Sequence, residues 1–151
     1  MKYYGICPAS CGEFVQGVMD RAEYLCSYAV DLYSTAEVEE KLNNINLGPL
    51  KSRKAIEAVF KKFNIPVEES KNISLKIRSK IPVGKGMASS TADIGATIGA
   101  TLGLIKKELS SEEIAKLAST IEPTDSLYIE KNSIFNPLNG EVIRYLGNVK
   151  D

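Results

Sequence analysis

The sequence predicts a single α+β domain that spans all 151 residues, 1–151. Three observations lead to it. The first 40 residues have the composition of strands, the middle alternates helical and strand patterns, and the tail returns to strand composition. Hydrophobic residues make up 44% and charged residues 25% of the chain, which suits a globular domain with a sizeable core.

The opening region is predicted to be strands joined by tight turns. Aromatic and β-branched residues concentrate at 3–6, 14–15 and 24–38, and this composition favours strands. The stretch 43–49, rich in asparagine and ending in Gly-Pro, predicts a loop after these strands. Turns within the region are expected at Gly12, Gly17 and Asp20.

Periodic segments fill the rest of the chain. Apolar residues at three-and-four spacing predict helices over 50–63 and 111–121, and alternation of apolar with polar residues predicts a half-buried strand over 73–81. A run of small residues predicts a further helix over 87–105. Tail strands are expected around Ile129, Ile134 and 142–145, the last after a turn at Asn139-Gly140.

Charge and histidine content narrow the classes of function. The chain has 19 Lys+Arg and 19 Asp+Glu, which argues against a nucleic-acid partner bound by bulk positive charge. It contains no histidine, which excludes Ser-His-Asp and Cys-His nucleophile pairs and any histidine-ligated zinc. A general base would therefore be a carboxylate, lysine, tyrosine or cysteine.

Three cysteines lie close to the N-terminus, at Cys7, Cys11 and Cys26. An odd number without a repeat spacing does not form a disulfide framework, so we expect reduced thiols in a cytoplasmic protein. No apolar signal segment opens the chain, in keeping with a cytoplasmic location. A cysteine redox or metal site is the alternative, although no fourth ligand is visible.

The stretch 82–92 predicts an anion-binding site. A strand runs into a loop with Gly84 and Gly86, which runs into a helix start lined with hydroxyls. A first helical turn offers unpaired N–H groups, and glycine lets the backbone approach a phosphate closely. Lys85 can add a mobile positive charge, and the hydroxyls can bind phosphate or magnesium. Met87 after Gly86 excludes a Walker A loop; a plain glycine turn before a serine-capped helix is the alternative.

The helix behind this loop carries glycines at one spacing. Gly95, Gly99 and Gly103 recur every four residues and share a face, although each costs about 1 kcal/mol relative to alanine. This arrangement predicts that another backbone packs very closely against that face. A membrane helix is the rival interpretation, but Asp93 and several Ser/Thr residues interrupt the apolar stretch. We expect a buried helix that presents its N-terminus to a ligand.

A second candidate group lies in the stretch 121–126, where Pro123 follows the predicted third helix. In this stretch Glu122 and Asp125 lie three residues apart, at the end of that helix. Such a pair can serve as proton acceptor and magnesium ligand. The alternative is ordinary loop chemistry at a helix end, with Asp125 capping a short turn.

Together these segments resemble the GHMP kinase superfamily, which includes galactokinase, homoserine kinase and mevalonate kinase. The stretch Pro82–Ala92 is similar to its nucleotide motif PxxxGLxSSA, with Met87 in place of leucine and Thr91 inserted before the alanine. Four blocks are similar to the members that phosphorylate L-threonine in cobalamin biosynthesis: Cys7–Gly17, Val30–Thr35, Ile81–Asp93 and Ile121–Ser126.

The resemblance implies a fold and a reaction. The fold would be the N-terminal lobe of a GHMP kinase, with an α+β core like domain 2 of ribosomal protein S5. The reaction would transfer a phosphoryl group from ATP, with Mg²⁺, to the hydroxyl of L-threonine. Homoserine or another hydroxylated metabolite is the alternative acceptor, and a non-catalytic nucleotide-binding module is the alternative function. The partner would be this small amino-acid alcohol, with no nucleic acid and no membrane.

The resemblance also implies roles for individual residues. Asp125 would be the catalytic base or would orient the acceptor hydroxyl, and Lys85 would assist catalysis. Ser90 would contact the magnesium ion, with Glu122 metal-linked. The acceptor site would be lined by Ser10, Glu13 and Gln16. The ATP phosphates would be surrounded by Pro82, Val83, Gly84, Lys85, Gly86, Met87, Ala88, Ser89, Ser90 and Thr91.

One departure from the superfamily concerns length. Its members have a second, C-terminal lobe with a further glycine-rich motif, and we expect this chain to lack that lobe because it stops at Asp151. We therefore expect weak or no kinase activity from this chain alone. Apolar surface meant for the second lobe would favour a homodimer or a separate C-terminal lobe chain as partner.

Overall fold

The computed structural model describes residues 1–129 and 131–147. Within them the chain forms a five-stranded sheet with helices, in the predicted α+β order. The strands are β1 (Lys2–Met19), β2 (Ala22–Glu40), β3 (Ile73–Ser79), β4 (Asn132–Asn136) and β5 (Glu141–Gly147). The helices are α1 (Leu50–Lys62), α2 (Ser89–Ile105) and α3 (Ser111–Ser119), with short 3₁₀ turns at Val67–Asn72 and Ser126–Tyr128.

The first two strands form one long antiparallel hairpin. Its turn lies at Asp20 and Arg21, whose φ angles of 51° and 64° match a mirror-type two-residue turn. The turn predicted at Asp20 is confirmed, but those predicted at Gly12 and Gly17 are wrong because both residues lie inside β1. Gly12, with a φ of 131°, sits where the pairing register shifts, so it accommodates an irregularity within the strand.

Strand β2 is the centre of the sheet. It pairs with β1 along one edge. On the other edge β3 pairs with its C-terminal half, from Ser34↔Ser79 to Glu40↔Ile73, and β4 pairs further back at Leu25↔Phe135. The two halves of β2 are thus flanked by different strands, and β3 ends beside Ser34, where the loop to α2 begins.

The core lies between the sheet and the helices. Cys7, Ala36 and Leu75 of the sheet pack with Ala96 of α2 and Ile56 of α1 in one buried cluster. The other side of α2 packs against α1 and α3 in a second cluster. Helix α2 is therefore enclosed between the sheet and two helices, as its composition predicts. No helix in the described part of the chain is long and apolar enough to cross a membrane.

The predicted close approach of another backbone to the glycine face of α2 is confirmed at Gly99, whereas at Gly95 and Gly103 the nearest atoms belong to side chains, those of Tyr128 and Cys7 and that of Tyr3. A Cβ atom on Gly5 of β1 would lie 1.9 Å from the carbonyl oxygen of Ala96 and 2.5 Å from the amide nitrogen of Ala100. A Cβ atom on Gly99 would lie 3.7 Å from the Cα atom of Gly5. The strand and the helix thus meet backbone to backbone at Gly5, where no side chain fits.

The remaining elements follow the predictions with shifted ends. Helix α3 starts at a capping box in which Ser110 and Glu113 bond each other's backbone N–H, and it ends at Ser119 rather than at 121. Strand β3 ends at Ser79, so residue 81 lies outside it. The strand expected around Ile129 is wrong, because that residue follows the 3₁₀ turn and precedes β4.

We predict that Gly5→Ala lowers the free energy of unfolding by about 2 kcal/mol or more, because the new methyl group must push β1 away from α2. Gly17→Ala is the matched control, since no described atom lies within 4 Å of a Cβ at that position of the same strand. It should change stability by less than about 0.5 kcal/mol. Urea denaturation of both variants measures this, and equal stabilities would contradict the proposed packing.

Candidate functional site

The loop between β3 and α2 projects into open space. Residues 82–86 are exposed, and Gly84 and Gly86 have φ angles of 70° and 69°. No described atom lies within 4 Å of a Cβ built on either glycine. Lys85 is exposed between them. The glycines therefore serve the backbone turn rather than internal packing, which leaves the loop free to surround a ligand.

The N-terminus of α2 opens directly behind this loop. Ala88 precedes the helix in a left-handed conformation, φ 55° and ψ 37°, and no described side chain caps the first turn. The backbone amides of 89–91 thus provide the unpaired donors and partial positive charge that suit an anion. The amide of Ser10 donates to the carbonyl oxygen of Met87 at 3.2 Å, which ties β1 to the base of the loop.

A carboxylate lies one turn inside α2. The Ser34 hydroxyl of β2 donates to the Asp93 carboxylate, which fixes that side chain against the sheet. Burial raises the pKa of Asp93 while the Ser34 hydrogen bond opposes this, and the negative charge of Glu122 raises it further. Neither Asp93 nor Ser34 was among the predicted site residues.

Asp125 is held between β2 and the following 3₁₀ turn. The Ser27 hydroxyl donates to Asp125 Oδ1 at 3.4 Å, and the Ser27 amide donates to the Ser126 hydroxyl at 3.0 Å. Burial raises the pKa of Asp125, and so do the charges of Glu13 and Glu122, while the Ser27 hydrogen bond lowers it. Glu13 pairs with Ser27 across the hairpin, so the structure brings these predicted residues together.

Glu122 is engaged by a cation that sequence reasoning missed. The Lys51 ammonium, on the first turn of α1, forms a salt bridge with the Glu122 carboxylate. The Glu122 side chain is only 15% exposed, whereas that of Lys51 is 56% exposed. No sequence motif relates positions 71 residues apart, so only the packing of α1 against the end of α3 reveals the pair.

Gln16 lies apart from the other predicted residues. It lines a hollow of about 210 Å³ near the hairpin turn, together with Tyr24 and Pro137. None of the other predicted site residues lines that hollow. Ser10, by contrast, is 1% exposed and lies at the base of the loop.

The cysteines are free, with Cys7 and Cys26 buried and Cys11 exposed. Burial raises the pKa of the Cys7 thiol to about 12, so the thiol stays protonated and is a poor nucleophile. Across residues 1–129 and 131–147, no three Cys, Asp or Glu side chains converge to hold a metal ion by themselves.

Comparison with known families places the chain. The profile described as the GHMP kinases N terminal domain matches residues 51–128, which include α1, the glycine loop, α2 and Asp125. The chain belongs to the GHMP kinase family. The family resemblance inferred from the sequence blocks is therefore confirmed.

Relatives in this GHMP kinase family include enzymes named for two different acceptors, L-threonine and mevalonate. The chain is 44% identical over 133 residues to the L-threonine kinase of Salmonella typhimurium, an alignment covering 88% of this chain and 44% of that protein. It is 44% identical over 70 residues to the mevalonate kinase of Pyrococcus abyssi, covering 46% of this chain and 20% of that protein. The chain spans about half the length of the L-threonine kinases it matches.

A solved structure supports the GHMP kinase fold. The mevalonate kinase of Methanococcus jannaschii superposes with a TM-score of 0.71 at 24% identity, covering 97% of this chain and 56% of that one. At this identity the likeness concerns the fold alone. The predicted α+β fold of an N-terminal GHMP kinase lobe is confirmed.

We predict that Asp125→Asn raises the free energy of unfolding at neutral pH, because it removes a half-buried charge while an amide oxygen can still accept from Ser27. The raised pKa means that the folded wild type binds a proton more readily than the unfolded chain. The wild type therefore gains stability relative to the variant as the pH falls from that raised value toward the ordinary value of 3.8.

Urea denaturation at neutral pH and at about pH 4 measures both effects. Glu108→Gln, at an exposed position between α2 and α3, is the control and should leave stability nearly unchanged at both pH values. An Asp125→Asn variant that is less stable than the wild type at neutral pH would show that the carboxylate stabilises the fold.

Proposed function

We propose that this chain provides the ATP-binding part of an L-threonine kinase. The observation that carries the proposal is the open N-terminus of α2 behind a two-glycine loop, together with the half-buried carboxylates of Asp93 and Asp125. The 44% identity to the Salmonella L-threonine kinase supports threonine as the acceptor. In this proposal the acceptor hydroxyl lies between Asp125 and the phosphate-binding turn.

The loop and the first turn of α2 would bind the phosphates of ATP. Backbone amides of 83–90 would donate to phosphate oxygens, and Lys85 would add a positive charge from the exposed side. A magnesium ion would fit the donors present, since the Ser90 hydroxyl and the Glu122 carboxylate are both oxygen ligands of the kind Mg²⁺ prefers. Magnesium ATP supplies the transferable phosphoryl group and the divalent charge that screens it.

Asp125 would accept the proton of the threonine hydroxyl. As the oxygen forms its bond to the γ-phosphorus and the bond to ADP breaks, the hydroxyl proton moves to the carboxylate. Burial has already raised the pKa of this carboxyl, which brings its proton affinity closer to working pH. The Ser27 hydrogen bond would fix which carboxylate oxygen faces the acceptor.

The acceptor side of the site is acidic. Glu13 lies across the hairpin from Ser27 and adds negative charge beside Asp125. Two carboxylates suit an acceptor that carries an ammonium group next to its hydroxyl, as threonine does. Ser10 would belong to this acceptor side at the base of the loop, whereas Gln16, the other predicted acceptor residue, lies apart from it near the hairpin turn.

The proposal extends to cellular context. Threonine phosphate formed here would serve cobalamin biosynthesis in the cytoplasm, with no nucleic acid or membrane as partner. A second copy of this chain or a separate C-terminal lobe chain is the proposed protein partner.

The deciding experiment combines binding with turnover. Calorimetric titration should show binding of magnesium ATP to this chain. Formation of ADP and threonine phosphate is then measured with the chain alone and with the C-terminal part of the Salmonella relative added. Transfer to threonine in preference to homoserine and mevalonate is expected. No nucleotide binding, or transfer to mevalonate instead, would contradict the proposal.

We predict that Asp125→Asn lowers the rate of transfer to threonine at least about 100-fold, because the amide cannot take the hydroxyl proton. Binding of magnesium ATP should stay within about twofold, since the carboxylate does not contact the nucleotide in this scheme. A rate near that of the wild type would show that positioning alone suffices and that Asp125 is not a base.

We predict that Ser90→Ala weakens binding of magnesium ATP about tenfold, or about 1.4 kcal/mol, because the ion loses an oxygen ligand. When a chelator removes the magnesium, ATP should bind the wild type and Ser90→Ala with equal affinity. Ser111→Ala, at the first residue of α3 and thus at the opposite end of that helix from Glu122, is the control and should change neither affinity. Unchanged magnesium ATP binding by Ser90→Ala would contradict the assigned role.

A further inference from the structure

Tyr128 occupies a junction that the proposed function does not use. It ends the 3₁₀ turn that follows Asp125, and its ring packs against all three buried clusters of the core. Its hydroxyl donates to the carbonyl oxygen of Thr91 at 2.6 Å and accepts from the Thr124 hydroxyl at 3.4 Å. The side chain therefore joins the segment after α3 to the first turn of α2.

The contact with α2 is shaped to take this ring. A Cβ atom built on Gly95 would lie 2.3 Å from Cε1 of Tyr128 and 2.9 Å from Sγ of Cys7. Gly95 stands one turn after Thr91, so the ring lies along α2 while the hydroxyl reaches the preceding turn. Two separate contacts, one by packing and one by hydrogen bond, hold the same side chain.

The two ends of this connection are the two halves of the proposed site. Thr91 directly follows Ser90 in the phosphate-binding turn, and Tyr128 follows Asp125 by three residues. In phosphoryl transfer the protein contributes mainly alignment of the acceptor with the phosphate, and an error of about 1 Å can cost about 100-fold in rate. A rigid aromatic side chain between the two halves is suited to fixing their separation.

We propose that Tyr128 is a positioning residue that sets the distance between Asp125 and the phosphate-binding turn of α2. The inference rests on the proposed kinase function. Tyr128 would act through its hydroxyl, because the ring alone would still fill the space above Gly95. Loss of the hydroxyl would leave the Thr91 carbonyl without this donor and let the first turn of α2 move relative to Asp125.

The test compares Tyr128→Phe with Tyr145→Phe. Each change removes one phenolic hydroxyl, and that of Tyr145 donates to the exposed Glu112 carboxylate instead. Amide hydrogen exchange of residues 90–95 reports on the turn without any activity. The transfer assay described above then gives kcat and the KM for threonine.

We predict that Tyr128→Phe speeds exchange of residues 90–95 about tenfold and lowers kcat about tenfold, with the KM for threonine within about twofold. Tyr145→Phe should leave all three values unchanged. A merely structural tyrosine would lower thermal stability without splitting kcat from KM. Unchanged exchange, or a kcat per folded molecule equal to that of Tyr145→Phe, would overturn the proposal.

Failure of the kinase function is separable from failure of this inference. If the wild type transfers no phosphoryl group to threonine, the proposed function is contradicted, and so is the positioning role of Tyr128 in that reaction. Exchange of residues 90–95 still decides whether the hydroxyl restrains α2. Faster exchange with an unchanged kcat in an active enzyme would overturn the positioning role alone.

Discussion

The backbone contact between β1 and α2 is the constraint on which the rest of the structure depends. Gly5 lets the strand and the helix approach backbone to backbone, which fixes where the helix lies along the sheet. That position brings Met87, just before α2, to Ser10 and brings Asp93, one turn inside α2, to Ser34. A helix displaced by one ordinary side chain would lose the hydrogen bond between Ser34 and Asp93 and the bond between Ser10 and Met87 that ties the loop to β1.

The same arrangement gathers negative charge around the start of a helix. Asp93 and Asp125 both have raised pKa values, chiefly because burial disfavours their charged forms, and Glu122 adds repulsion to each. A fold selected for stability alone would not place three carboxylates where they repel one another. In the proposed kinase a magnesium ion and an ammonium-bearing acceptor would relieve this repulsion, so the filled site would be more stable than the empty one.

Sequence patterns predicted those features that depend on the spacing of residues close together in the chain. The four-residue glycine repeat predicted a close backbone along α2, which is present at Gly99 but replaced by side chains at Gly95 and Gly103. The strand–glycine–hydroxyl order predicted the loop before that helix. Gly12 and Gly17 misled because a glycine in a long strand can accommodate a register shift as readily as a turn. Asp93 could have been found as a carboxylate one turn inside a predicted anion-binding helix. Lys51 and Tyr128 could not, because their contacts join positions 71 and 37 residues apart.

The salt bridge of Lys51 and the hydrogen bond of Ser34 give the two flanking carboxylates different freedom. An ion pair whose lysine is 56% exposed contributes only about 0–1 kcal/mol, so Glu122 can exchange the ammonium for another cation at little cost. Asp93 is bound to a hydroxyl of the central strand, and breaking that bond would leave a buried polar group unpaired. In the proposed kinase, Glu122 is therefore the carboxylate suited to meet an arriving metal ion, and Asp93 the one suited to hold the helix in place.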